Sequence, residues 1–109
     1  ASEKGIINNN IIARKNMGYS LGAIGLRGYH DFLIEGNKLT DIGGGPGIEI
    51  GNCGAGWLVT QNGVIKENSV SLIPGNPAPY PITLRRTEGI SFMANIVSPD
   101  GKTPVNICT

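Results

Sequence analysis

An asparagine recurs four times in this chain with the same apolar surroundings. Asn10, Asn37, Asn62 and Asn95 each have an apolar residue three positions earlier and another two positions later, at steps of 27, 25 and 33 residues. A second motif keeps time with the first: Ile24-Gly25-Leu26, Ile48-Glu49-Ile50, Ile82-Thr83-Leu84 and Val105-Asn106-Ile107. The first residue of each complete triplet precedes the next of these asparagines by 13, 14 and 13 residues. Each triplet follows a chain-breaker (Gly22-Ala23, Pro46-Gly47, Pro81 or Pro104), and proline is tolerated at the first residue of a strand.

Apolar-x-apolar triplets carry the two-residue period of a strand with one face buried. Two such segments per repeat, with a short third strand after the asparagine, describe one coil of a solenoid. Stacking the coils at the strand spacing of about 4.8 Å sets like residues over like. The spacing predicts inward rows of Ile24, Ile48, Ile82 and Val105; Leu26, Ile50, Leu84 and Ile107; and Phe32, Trp57 and Ile90. It also predicts Ile7, Ile34, Val59 and Phe92, and Ile12, Leu39, Val64 and Val97. The fold class expected is all-β, a right-handed parallel β-helix of about four coils with an asparagine ladder at positions 10, 37, 62 and 95. Asparagine suits a tight corner because it tolerates left-handed backbone angles, and its amide both donates and accepts up and down a stack. The competing architecture is an antiparallel β-sandwich, which also spaces short strands with turns but does not require matched offsets.

Composition narrows the function classes. Hydrophobic residues make up 39% and charged residues 16%, a balance opposite to that of disordered chains. Gly supplies 17 of 109 residues without a collagen period, which implies many tight turns. A net charge of +1 encodes no pull toward nucleic acid or a membrane surface, and no apolar run approaches the ~20 residues of a membrane span. No cofactor motif and no metal-ligand spacing appears. The only His, His30, sits in the turn Gly28-Tyr29-His30-Asp31 without a Cys or second His, and a surface turn is the reading it supports.

The coil pattern resembles the right-handed parallel β-helix families over residues 5 to 107: the pectate-lyase-like polysaccharide lyases and hydrolases, the alginate epimerases and the phage tailspikes. The calcium-binding nonapeptide of β-rolls is absent, since Gly43-Gly44-Gly45-Pro46-Gly47 lacks the required Asp. The resemblance implies a segment of a polysaccharide-binding protein, with depolymerisation of a bacterial surface glycan as its activity and a virion or extracellular location. The alternatives are a non-catalytic structural or adhesin β-helix, and a bacterial polysaccharide lyase or epimerase. Solenoids cap their ends, and no cap is visible in residues 1–109, so the whole chain reads as one segment of something longer. The resemblance also implies association, as a homotrimer or through open solenoid ends. Leu33 and Leu58 are expected to point outward as an interface pair.

In such a fold the outer faces carry the chemistry. Glu49 lies between inward Ile48 and Ile50, and the next column is Arg27, Gly51 and Arg85. A carboxylate beside two arginines fits sugar binding or acid/base work, and equally an ordinary surface ion pair. Glu35 and Asp41 near the corners of the same coil, with Glu49 on the adjacent coil, are the candidate catalytic carboxylates, because glycoside hydrolysis needs two of them about 5–10 Å apart. Arg27, Arg85 and Tyr80 are the candidate sugar-binding residues. Tyr80 sits in an expected inserted loop, 69–81, that carries Pro74-Gly75-Asn76-Pro77-Ala78-Pro79-Tyr80-Pro81. Trp57 and Phe32 fall in inward columns and read as core. Cys53 and Cys108 stand two coils apart, roughly 10 Å, whereas a disulfide needs Cα atoms within about 7 Å. Two free thiols are therefore expected.

Overall fold

Strands of two to five residues are the only regular elements among the described residues, which in this computed structural model are 2–3, 5–13, 23–51, 53, 59–76, 80–98 and 106–107. They fall into four sheets. The first contains β1 (Ser2–Glu3), β5 (Tyr29–His30), β9 (Thr60–Gln61) and β13 (Thr87–Glu88). The second contains β2 (Ile6–Asn8), β6 (Leu33–Glu35), β10 (Val64–Lys66) and β14 (Ser91–Met93). In the third are β3 (Ile11–Ala13), β7 (Lys38–Ile42), β11 (Ser69–Leu72) and β15 (Ile96–Ser98); in the fourth are β4 (Ile24–Leu26), β8 (Ile48–Gly51), β12 (Ile82–Arg85) and β16 (Asn106–Ile107). All pairings are parallel, and each strand pairs with the strand four places away in sequence. One pass through the other three sheets thus supplies the long crossover that parallel pairing demands. An antiparallel sandwich is excluded for these residues.

The strands are short because single left-handed residues bend the chain between them. Between the first and second sheets these are Asp31 (φ 59°), Asn62 (φ 57°) and Gly89 (φ 65°). Between the second and third they are Asn9 (φ 54°), Gly36 (φ 68°), Glu67 (φ 57°) and Ala94 (φ 55°). Gly28 and Arg86 repeat the device ahead of the first sheet. Asn, Asp and Gly are the residues that adopt this conformation at least cost; Glu67, Arg86 and Ala94 adopt it because the stack on either side fixes the bend.

Inside, the triplets stack as the spacing predicts over three passes: Ile24 with Ile48 with Ile82, and Leu26 with Ile50 with Leu84. The second sheet aligns Ile7, Ile34, Ile65 and Phe92, and the third aligns Ile12, Leu39, Val70 and Val97. Side chains of the two middle passes are buried, whereas Ile7, Ile12, Ile90, Phe92 and Val97 of the end passes are only partly covered.

A row of hydrogen-bonded asparagines follows the second corner, but its third member is Asn68 and not Asn62. Asn10 Nδ2 donates to Asn37 Oδ1 at 2.9 Å, Asn37 Nδ2 to Asn68 Oδ1 at 2.9 Å, and Asn68 Nδ2 to Asn95 Oδ1 at 3.0 Å. The backbone N–H of Asn10, Asn37 and Asn68 donates to the same acceptors. In the other direction, Nδ2 of Asn37, Asn68 and Asn95 donates to the carbonyls of Ile7, Ile34 and Ile65. Asn37 and Asn68 are each 1% exposed, and no buried side-chain polar atom among the described residues lacks a partner. The left-handed angle belongs to the residue before each of these asparagines. Asn62 is a corner residue of a different row, exposed and left-handed, one corner earlier in the pass.

The displaced register of the third pass has a simple cause. Ile65 and Val70 flank Asn68 at the same offsets as Val59 and Val64 flank Asn62, so the motif is satisfied twice within six residues. The structure seats the later copy, which moves Val59 and Val64 out of their expected rows. Trp57, expected in the row of Phe32, lies outside the described residues, and Gly63 occupies that level instead: Val64 N donates to Phe32 O, and Ser91 N to Gly63 O. The ring of Phe32 covers Gly63 so closely that a Cβ there would overlap the ring. Gly63→Ala is therefore expected to lower the unfolding free energy by about 2 kcal/mol, the usual cost of overpacking a core. Urea denaturation measures it, and Phe32→Leu in the same chain should recover part of the loss.

Two further expectations need correction. The inserted loop, expected at 69–81, begins four residues later than that, because Ser69–Leu72 is strand β11, paired with β7 and β15. The extra chain is the link 73–81, against 43–47 in the preceding pass, together with the link 52–59 between β8 and β9. In the last triplet the pairing slips by one residue, setting Asn106 opposite Leu84 and Ile107 opposite Arg85. Val105 lies outside the described residues.

Candidate functional site

The fourth sheet brings Glu49 and Arg85 together, with Arg27 just beyond the end of β4. Glu49, in β8, alternates with Ile48 and Ile50, so the strand period turns it to the outer face, beside Gly25 and Thr83 on the neighbouring strands. It is nevertheless 6% exposed rather than a solvated surface group. Each carboxylate oxygen takes one arginine: Arg85 Nε donates to Oε2 at 3.1 Å, and Arg27 Nη2 lies 3.7 Å from Oε1. About a third of each arginine side chain stays exposed. A carboxylate this covered is stable only when paired and hydrogen-bonded, and the arginines supply that. Gly51, the register partner of Arg85, has φ 91°, and a Cβ there would overlap the carbonyl of Arg85.

Tyr80 joins the edge of this cluster through its backbone. Thr83, the register partner of Glu49, donates its hydroxyl to Tyr80 O at 3.4 Å. Thr83 itself is 2% exposed. The buried hydroxyl is visible only in the structure, because in the sequence Thr83 is one polar residue between two apolar ones.

Glu35 and Asp41 stand on other sheets. Glu35 ends β6 on the second sheet and is held by Lys66 Nζ at 3.3 Å, directly across on the next strand. Asp41 lies in the third sheet where β7 has one residue more than β11, and its φ of 55° makes it the left-handed residue of a β-bulge. His30 contacts its neighbour Asp31 at 3.1 Å. Among the described residues no three of His, Cys, Asp or Glu group in a way that would hold a metal ion. Leu33 is half-buried on the outer side of the second sheet with Ile6 and Val64 as its neighbours across the strands; Leu58 lies outside the described residues.

The expected free thiols are overturned at Cys53, which is disulfide-bonded. Cys108, the sequence's other cysteine, lies outside the described residues. Cys53 is not fixed at its rung of the stack. It belongs instead to the long link 52–59, where the corresponding links are residues 27–28 and the single residue Arg86. Its sulfur accepts a contact from Arg85 Nη1 at 3.8 Å, so it already lies beside the next pass.

No family model, curated protein or solved structure matches this chain.

Proposed function

We propose that the chain is a four-coil segment of a right-handed parallel β-helix, with an asparagine ladder at positions 10, 37, 68 and 95, and that its outer surface binds polysaccharide in the manner of a tailspike-like protein. The observation that carries the reading is the convergence of Arg27, Glu49 and Arg85 on the outside of the fourth sheet. Glu49 fixes both guanidinium groups in advance, and their exposed portions offer several N–H donors to sugar hydroxyls or carboxylates. Tyr80, whose backbone carbonyl accepts from Thr83, would add a ring for stacking on a sugar. A disulfide at Cys53 fits an extracellular or virion-surface location, where such bonds persist.

Binding of bacterial surface polysaccharides to the intact chain, followed by calorimetry, tests the reading. Arg85→Ala and Arg27→Ala should each weaken binding about tenfold, the loss of one charge-assisted hydrogen bond. Affinity unchanged in both variants removes the site.

A second reading, a structural or adhesin β-helix without catalysis, is favoured by the carboxylates themselves. Glu49 has both oxygens engaged by arginine, Glu35 is paired with Lys66, and Asp41 serves a bulge. New reducing ends or unsaturated products from any bound glycan would reject it in favour of a depolymerase.

A further inference from the structure

Arg85 carries a contact that sugar binding does not use. Its Nε donates to Glu49 Oε2 at 3.1 Å, while its Nη1 donates to Cys53 Sγ at 3.8 Å. About a third of its side chain stays exposed. Cys53 is itself exposed, and its sulfur is half of a disulfide. A sulfur in that state is uncharged and a weak acceptor, so it leaves the guanidinium charge available. Two guanidinium groups around one carboxylate then present a single positive charge at the surface.

We infer that the redox state of Cys53 regulates this site: the oxidised chain holds Arg85 ready for a glycan, and reduction withdraws Arg85 into an ion pair with the Cys53 thiolate. The inference rests on the reading of Arg27, Glu49 and Arg85 as the glycan site. Two features favour the reaction. Exposed disulfides are the labile ones, because an attacking thiolate reaches them, and a thiolate beside a guanidinium is the better leaving group. Attack by a dithiol on the partner sulfur breaks the S–S bond and releases Cys53 as a thiolate next to Arg85. The second thiol of the reductant then displaces the partner cysteine and closes a cyclic disulfide. Two electrons and two protons have passed from the dithiol to the two cysteines. The charged groups around the sulfur among the described residues are Arg85 on β12 and, one contact further, Glu49 on β8 and Arg27. A thiolate there sets Arg85 between two anions, with Glu49 on Nε and sulfur on Nη1, and cancels the net positive charge that a glycan carboxylate would meet. The coupling is reciprocal: a carboxylate that occupies Arg85 protects the disulfide by the same factor.

Calorimetry on the full chain, with purified bacterial polysaccharide that contains carboxylate-bearing sugars, tests this in three forms: oxidised, reduced with dithiothreitol, and Cys53→Ser. The serine variant lacks the disulfide, as the reduced chain does, but forms no thiolate, so it separates the lost tie from the new charge. Reduction should weaken binding about tenfold at about pH 9, the loss of one charge-assisted hydrogen bond. The difference from the oxidised chain should shrink toward about pH 6 as the thiolate takes up its proton. The oxidised chain and Cys53→Ser should bind alike across that range. Saturating polysaccharide should lower the reduction potential of the disulfide by about 30 mV, the two-electron equivalent of tenfold. Equal affinity of the oxidised and reduced chains, or a serine variant as weak as the reduced chain, would overturn the regulation and leave the glycan site standing. An oxidised chain that binds no polysaccharide would remove the site, and the regulation with it.

Discussion

Asn68→Ala should lower the unfolding free energy by about 4 kcal/mol, while Asn62→Gly should change it by less than about 0.5 kcal/mol. The asymmetry follows from what each side chain leaves behind. Removing the Asn68 amide strips the acceptor from the backbone N–H and Nδ2 of Asn37, and the donor from Ile34 O. Asn37 is 1% exposed, so water does not replace those bonds without disturbing the core. Orphaned buried groups cost about 1–3 kcal/mol each, and three of them in the lower half of that range, a little above 1 kcal/mol each, reach the expected loss. Asn62 is exposed and holds a left-handed corner, which glycine adopts without strain. Asn68→Asp gives a sharper control: it keeps the acceptor for Asn37 but puts an oxygen against Ile34 O and Asn95 Oδ1, so it should be at least as damaging as alanine. Urea titrations of the three variants settle the matter. Equal effects at positions 62 and 68 would mean that the row does not hold the stack together.

That same pair of asparagines marks how far the sequence could be read. All-strand structure, parallel pairing and the stacking of the Ile24, Ile48 and Ile82 triplets follow from residue spacing, because a two-residue period with a fixed offset leaves few other arrangements. The third pass was ambiguous for a local reason. Val59 and Val64 around Asn62 satisfy the same pattern as Ile65 and Val70 around Asn68, and apolarity at two positions cannot tell them apart. Burial can. Only one asparagine of the pair has neighbours above and below to satisfy its amide, and that information sits in other passes. The misplacement then displaced two loops, lengthening 73–81 into β11 and hiding the link 52–59. It carried the cysteine argument with it, since Cys53 lies in the hidden link.

At the candidate site the legible part was the column. The pairing of Gly51 with Arg85 and the nearness of Glu49 to both arginines follow from strand alternation alone. Invisible in the sequence was the burial of Glu49, which depends on which chain segments cover the outer face. Likewise, Asp41 in the sequence is simply an acidic residue near a corner. Only the unequal lengths of β7 and β11 show that its left-handed backbone, not its carboxylate, is what the position uses.

Reduction of the Cys53 disulfide should cost about 4 kcal/mol of stability. The other cysteine of the sequence is Cys108, and a bond between positions 53 and 108 would close a loop of some 55 residues. Opening that loop returns to the unfolded chain the freedom that the bond removes. The loop spans the third and fourth passes, and the fourth is the less buried: Phe92 and Val97 are only partly covered, and β16 contributes two residues to its sheet. Loss of the bond should therefore free the last pass first. Hydrogen exchange in β14 and β15 should accelerate before exchange in β6 and β7. Cys53→Ser provides the same test without reductant, and a urea midpoint equal to that of the oxidised chain would show that the bond constrains nothing the stack does not already hold.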